Sequence, residues 1–175
     1  MSTFGGTALF LDRSDINTDE IIPAKYLTEV DKKALKPYLL EDLKLDSFSS
    51  DSPALKENTI LITRSNFGCG SSREHAVWVF TENNYYVIIA ESFARIFKQN
   101  AYNNGLLPIE LTSDKIEAIF ALSAKGTVKI SCDLEAQTLK VEAGEQTLAY
   151  NFEISPFYKD VVKAGGWINY VDKQY

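Results

Sequence analysis

The sequence predicts an α/β fold in which parallel βα units are joined to an antiparallel meander. Two observations carry this. From Thr59 onward, short apolar runs at 60–63, 85–90 and 106–111 alternate with segments of helical period. These runs are apolar at consecutive positions, as strands covered on both faces are. After residue 127 the period changes to two: Val128, Ile130 and Cys132, then Leu139 and Val141, then Leu148, Tyr150 and Phe152. Turn signals at Glu135-Ala136 and Ala143-Gly144 separate them, which predicts three antiparallel strands.

Taken in order, Ala8-Leu9-Phe10-Leu11 predicts a first strand, followed by the acid-rich loop 12–20. Asp15-x-Asn17-x-Asp19 imitates a calcium loop. The sixth position, which should be glycine, is Glu20, and the twelfth, which should be glutamate, is Tyr26. The residue types instead predict Asp and Thr caps for a helix start near Ile21-Ile22. Residues 24–58 form an irregular excursion within a single domain spanning 1–175. The part 31–45 has helical composition broken by Pro37, and 47–53 is a Ser/Asp-rich loop. A loop-rich segment of this length is a candidate substrate-facing element.

Three more helices are expected. One runs over 71–83. One is capped by Ser92, carries Phe93, Ile96, Phe97 and Ala101 on its inner face, and is stopped by Asn103-Asn104-Gly105. One opens at Thr112-Ser113-Asp114 with Ile116, Ile119 and Phe120 inward. Ser155-Pro156 is an N-cap followed by an N1 proline. Ile154, Phe157, Tyr158, Val161 and Val162 supply the apolar stripe of a last helix ending at Gly165-Gly166.

Composition narrows the function. Hydrophobic residues make up 45% and charged residues 24% of 175 residues, an ordinary globular balance. The net charge of −6 argues against a nucleic-acid protein. The opening residues lack a basic region leading into an apolar one, so no signal peptide is expected. No apolar run reaches the roughly 18 residues of a membrane span. Cys69 and Cys132 show no C-x-x-C spacing and His75 is the single histidine. These three donors do not make a zinc or iron–sulfur site within the chain, and the expected setting is the reducing cytoplasm.

The stretch Asn66-Phe67-Gly68-Cys69-Gly70-Ser71-Ser72-Arg73-Glu74-His75 lies at a strand-to-helix turn. It reads in two ways. Ser71-x-x-Glu74 is a capping box, which needs no ligand. Gly68 and Gly70 also let backbone amides approach an anion, with Ser72 and Arg73 beside it. Gly68-x-Gly70 lacks the further glycine of a dinucleotide fingerprint, and no P-loop or nucleophile elbow is present. What remains is an arginine able to grip a carboxylate bidentately, flanked by hydroxyls. Arg95 and Lys98 would join the same pocket if the strands lie side by side. A serine acting as proton acceptor there needs strongly positive surroundings, such as a metal-bound substrate. This chain supplies no metal ligands, so a partner would have to.

The stretch 66–76 resembles the signature of the aconitase-type swivel domains, in particular the small subunits of 3-isopropylmalate dehydratases. Three further pieces agree in order: 17–27, Ser92-Phe93-Ala94-Arg95-Ile96-Phe97, and 103–109. The ending 156–167 is similar as well. The resemblance implies a swivelling β/β/α domain with mixed parallel and antiparallel strands and flanking helices. It implies isomerisation of 2-isopropylmalate and 3-isopropylmalate by dehydration and rehydration, in leucine biosynthesis. It implies a [4Fe–4S] cluster on a separate large subunit and none on this chain. It assigns Ser71 as catalytic base and Ser72 and Arg73 as substrate-carboxylate contacts, with Gly68, Gly70, Glu74 and His75 in support. The loop after Tyr26-Leu27 is where such enzymes differ in substrate, which makes Thr28 a substrate-contact candidate. Glu29 would repel the additional carboxylate of a homoaconitate-type substrate. Relatives of the dimethylmalate type share the signature, and a non-enzymatic carboxylate-binding module is the reading from another class.

Overall fold

The computed structural model describes residues 2–175. Seven strands form one sheet: β1 (Thr3–Phe10), β2 (Ile60–Ile62), β3 (Val87–Ala90), β4 (Leu107–Glu110), β5 (Lys129–Asp133), β6 (Thr138–Ala143) and β7 (Gln146–Asn151). Their spatial order is β4-β3-β2-β1-β5-β6-β7. β1 is the seam between the two halves. Its Ala8–Phe10 end pairs in parallel with β2, and its Thr3–Thr7 end pairs antiparallel with β5. β2, β3 and β4 continue in parallel, and β5, β6 and β7 form the meander.

Strand alternation divides the core in two. Leu61, Ile88 and Ala90 point to one face, and Ile60, Ile62, Val87, Ile89, Leu107 and Ile109 to the other. The first face is covered by α1 (Thr18–Ile21), α3 (His75–Glu82) and the irregular segment through α2 (Ala54–Glu57). The second is covered by α5 (Ser113–Ser123) and the meander. α4 (Arg95–Asn103) contributes to both through Phe97 and Tyr102. α6 (Pro156–Ala164) begins as the sequence predicts: Pro156 is in its first turn and Ser155 accepts a hydrogen bond from the Tyr158 amide at 3.2 Å. It ends at Gly165 with φ 89°, a left-handed cap that favours glycine. The sequence reading did not include α7 (Trp167–Gln174).

Three helix starts differ from expectation. α1 is capped by Asn17, whose Oδ1 accepts from the Glu20 amide, and Glu20 returns a carboxylate oxygen to the Asn17 amide. The capping box is therefore at 17–20, not at Asp or Thr before Ile21. α3 starts at His75 rather than Ser71, and the 71–74 box is not formed. α4 starts at Arg95 rather than Ser92, because Ser92 Oγ accepts from the Asn66 amide at 2.8 Å. The 31–45 stretch forms only a 3₁₀ turn over Lys32–Tyr38 containing Pro37, since proline removes a helical donor.

The irregular segment is bound to the sheet through Tyr85. Tyr85 is fully buried and its hydroxyl donates to the Leu55 carbonyl at 2.7 Å. Tyr85→Phe leaves that carbonyl unpaired in the core and should cost about 1–2 kcal/mol. Urea unfolding measures this as a lowered midpoint at unchanged slope.

Candidate active site

The candidate site is at the C-terminal ends of β1, β2 and β3, the edge where open parallel sheets bind ligands. The loops leaving these strands are joined by main-chain hydrogen bonds. Phe67 accepts from the Ala94 amide at 2.9 Å and donates to the Ser92 carbonyl at 3.1 Å. On its other side, the Gly68 amide donates to the Ile16 carbonyl and Cys69 accepts from the Thr18 amide, both at 2.9 Å. Residues 67–69 thus make isolated parallel bridges to Asn17 on one side and Phe93 on the other. Below them, Thr63 Oγ1 donates to the Leu11 carbonyl at 3.0 Å and ties the exits of β1 and β2 together.

The glycines are required by this insertion to different degrees. A Cβ on Gly68, at φ 80°, would lie 2.3 Å from Phe97 Cγ. Phe97 is itself fixed edge-on against Phe67 with centroids 5.3 Å apart, so it cannot retreat. Gly70, at φ 92°, would meet nothing closer than 3.5 Å.

A cleft of about 210 Å³ opens beside this junction, lined by Thr18, Gly68, Gly70, Ser71, Ser72, Arg73, Ala94, Arg95, Ile96 and Phe97. Ser71 and Ser72 are exposed. The Ser71 carbonyl accepts from buried Thr18 Oγ1 at 2.9 Å, which fixes the backbone and leaves the Ser71 hydroxyl toward solvent. Arg73 is ion-paired with Asp19, its side chain 14% exposed against 62% for the carboxylate. One guanidinium nitrogen is engaged, and the remaining donors can still form a fork. Around Glu20, burial pushes the carboxyl up. The Arg13 hydrogen bond and charge, with the Asn17 amide, outweigh it and leave the group below its ordinary value.

A domain profile of the aconitase C-terminal domain matches residues 2–114. The chain is 35% identical over 174 residues to the 3-isopropylmalate dehydratase small subunit of Halalkalibacterium halodurans, covering 95% of this chain and 88% of that one. It is 38% identical over 169 residues to the same subunit of Shouchella clausii, covering 93% and 83%. The crystal structure of 3-isopropylmalate dehydratase from Methanocaldococcus jannaschii aligns with a TM-score of 0.77 at 29% identity, covering 98% of this chain and 95% of that one. The chain belongs to the 3-isopropylmalate dehydratase small-subunit family, within the aconitase C-terminal domains.

Set against the expectations for this family, the structure brings Ser71, Ser72, Arg73, Gly68 and Gly70 to one cleft. Arg95 joins them. Lys98 does not, being paired with Glu110. Thr28, Glu74 and His75 lie outside the cleft lining. His75 Nε2 donates to the Glu29 carbonyl at 2.8 Å and so tethers the Thr28 segment to the start of α3. The Glu29 carboxylate accepts from the Asp31 amide at 2.9 Å. Glu74 accepts from Asn104 Nδ2 at 3.0 Å and joins the start of α3 to the end of α4. Thr18 and Asp19 had no role assigned from sequence, although the 17–27 piece contains both.

Burial, with the Asp15 charge, raises the Cys69 pKa; burial in the sheet pushes Cys132 up to about 12. Among the described residues, no group of three or more His, Cys, Asp or Glu is placed to hold a metal.

Gly68→Ala should destabilise by about 2–4 kcal/mol, from overpacking and left-handed strain together, whereas Gly70→Ala should cost only the strain, about 1 kcal/mol. Chemical denaturation of the two variants checks the difference. Equal costs would mean that Phe97 moves aside.

Proposed function

We propose that this chain is the small subunit of 3-isopropylmalate dehydratase and works in leucine biosynthesis in the cytoplasm. With a large subunit it would interconvert 2-isopropylmalate and 3-isopropylmalate by dehydration and rehydration. The observation that carries the reading is the composition of the cleft. Two hydroxyls and two guanidinium groups share about 210 Å³ with Ile96 and Phe97. That set suits a hydroxy-dicarboxylate with an apolar branch, in a chain whose relatives carry this enzyme's name.

Ser71 is the base in this reading. Its oxygen takes the proton from the carbon next to the hydroxyl-bearing carbon, the C–H pair becomes the double bond, and the hydroxyl departs as water with a proton from an acid that this reading leaves to the large subunit. In rehydration Ser71 returns the proton to the carbon that lost the hydroxyl. A water adds its hydroxyl to the carbon that lost the proton and gives its own proton back to that acid, so the other isomer forms. Lewis-acid activation of the departing hydroxyl is left to a [4Fe–4S] cluster, which this reading places on the large subunit. An alkoxide at Ser71 needs positive surroundings, and Arg73 and Arg95 provide them within the cleft. Ser72 and Arg73 hold a substrate carboxylate, with Asp19 fixing the guanidinium plane. Thr28 meets the substrate from the segment that His75 tethers. No helix of the described residues is long and apolar enough to cross a membrane, and the overall negative charge disfavours nucleic acid as a partner.

The test is anaerobic assembly with the large subunit and a continuous assay for the unsaturated intermediate. Turnover of isopropylmalate is expected. Turnover of homoaconitate or dimethylmalate in its place would overturn the substrate assignment, and tight carboxylate binding by the isolated chain without turnover in the assembly would overturn the enzyme reading. Ser71→Ala should lower kcat by about 10²–10⁴-fold. Because Ser71 is exposed and caps no helix, its stability should change by less than about 0.5 kcal/mol. Near-normal kcat would remove Ser71 from the chemistry.

A further inference from the structure

Resting on the functional reading above, we propose that Arg95 is a second substrate-contacting residue, holding one carboxylate of the dicarboxylate while Arg73 holds the other. Both arginines line one cleft with Ser71 and Ser72, but their electrostatic states differ. Arg73 is largely buried and its charge is already partly neutralised by Asp19. Arg95 is exposed, and no carboxylate pairs with it among the described residues. One turn along α4, Lys98 holds Glu110. Glu153, which lines a neighbouring groove with Arg95, makes no ion pair with it.

The stability of α4 does not explain this placement. Arg95 is the first residue of the helix, and Ala94 at the cap offers no side-chain acceptor. A cation there faces the positive end of the helix dipole, which is unfavourable. A bound carboxylate reverses the sign of that interaction. The backbone is also held in position. The Ala94 amide is bonded to the Phe67 carbonyl, two aromatic contacts from Phe67 reach Phe93 and Phe97, and Gly68 lies against the Phe97 ring. Arg95 therefore sits on a strand-like junction shared with the Ser71 turn, and its guanidinium starts from a fixed base.

Charge counting gives the same result. A dicarboxylate brings two negative charges, and Arg73 with its Asp19 partner offers less than one full positive charge. Without Arg95, the second carboxylate would have only hydroxyls on this side of the site. A bidentate guanidinium contact binds a carboxylate in a plane, which would also orient the apolar branch toward neighbouring Ile96, 39% exposed in the same cleft.

The experiment uses the assembled heteromer with wild-type, Arg95→Ala, Arg95→Lys and, as control, Lys98→Gln small subunits. Turnover of isopropylmalate by the wild type tests the functional reading alone. Calorimetric affinity for 2-isopropylsuccinate, a dicarboxylate with no hydroxyl to eliminate, tests Arg95 and does not depend on turnover. Arg95→Ala should weaken binding at least about tenfold and raise KM in proportion, with a smaller effect on kcat. Arg95→Lys should recover part of the loss, and added guanidinium should recover more than the same ionic strength of sodium chloride. Lys98→Gln should bind as wild type. Affinity of Arg95→Ala within about twofold of wild type would overturn the proposal. So would a loss that neither lysine nor guanidinium repairs, or weakened subunit association with unchanged 2-isopropylsuccinate affinity, which would assign Arg95 to the interface.

Discussion

The site depends on the insertion of residues 67–69 between two other loop segments. Four main-chain hydrogen bonds hold it, two to the 16–18 segment and two to the 92–94 segment. Each loop leaves a different parallel strand, so the insertion joins the three strand exits by bridges beyond the sheet. Its consequence is positional. Ser71, Ser72 and Arg73 follow immediately and cannot move without breaking bonds to both neighbours. Thr18 on one side, and Arg95 to Phe97 on the other, are brought within one cleft by the same bonds. Gly68 is the point at which the packing allows no side chain, because Phe97 occupies the space a Cβ would take.

Charge in the site is arranged around that insertion. The acid-rich loop 12–20 resembles a cation site in sequence, yet its carboxylates serve the protein. Asp15 accepts from the Asn66 side chain at 2.8 Å, Asp19 holds Arg73, and Glu20 closes the box on α1 while pairing with Arg13. The lowered Glu20 pKa ties this arrangement to pH. A carboxyl depressed in the folded state stabilises above its unfolded value, and the contribution is lost as pH falls through the folded value. The loop that positions Arg73 thus weakens only in acid, below the ordinary carboxylate value of 4.5.

The sheet was largely legible from the sequence and the helix starts in the site were not. Consecutive apolar runs and alternating positions report burial on two faces or one, which is a local property of each strand. α6 was equally clear, because Ser155, Pro156 and Gly165 act on their own backbone, whereas α7 beyond it was missed. By contrast, Ser71-x-x-Glu74 has the residues of a capping box and does not form one. Asn104 takes the Glu74 carboxylate from 30 residues away, and Thr18, 53 residues away, fixes the Ser71 backbone in a turn outside the helix, which begins only at His75. Ser92 fails as a cap for the same reason, since its hydroxyl is used by the Asn66 amide. A local motif loses when a long-range partner is better placed, and spacing alone carries no sign of that partner. The roles of Thr18 and Asp19 were hidden in the same way, although the residues stood in a stretch already matched to the family.

The exposure of the signature serines bears on why the site is divided. In an isolated cleft that opens to water, a serine oxygen is well solvated and its proton is held near the ordinary alcohol value. Lowering that value takes positive charge; exclusion of water alone would disfavour the alkoxide, but it strengthens the pull of a guanidinium held beside it. This chain contributes charge at Arg73 and Arg95 and leaves Ser71 and Ser72 exposed. A second surface closing over the cleft would supply the exclusion. Under the proposed function that surface is the large subunit, and the base becomes competent only on assembly. Rigid loops on this side then matter more than depth: the insertion presents the hydroxyls and guanidinium groups in fixed register, and the partner completes the walls.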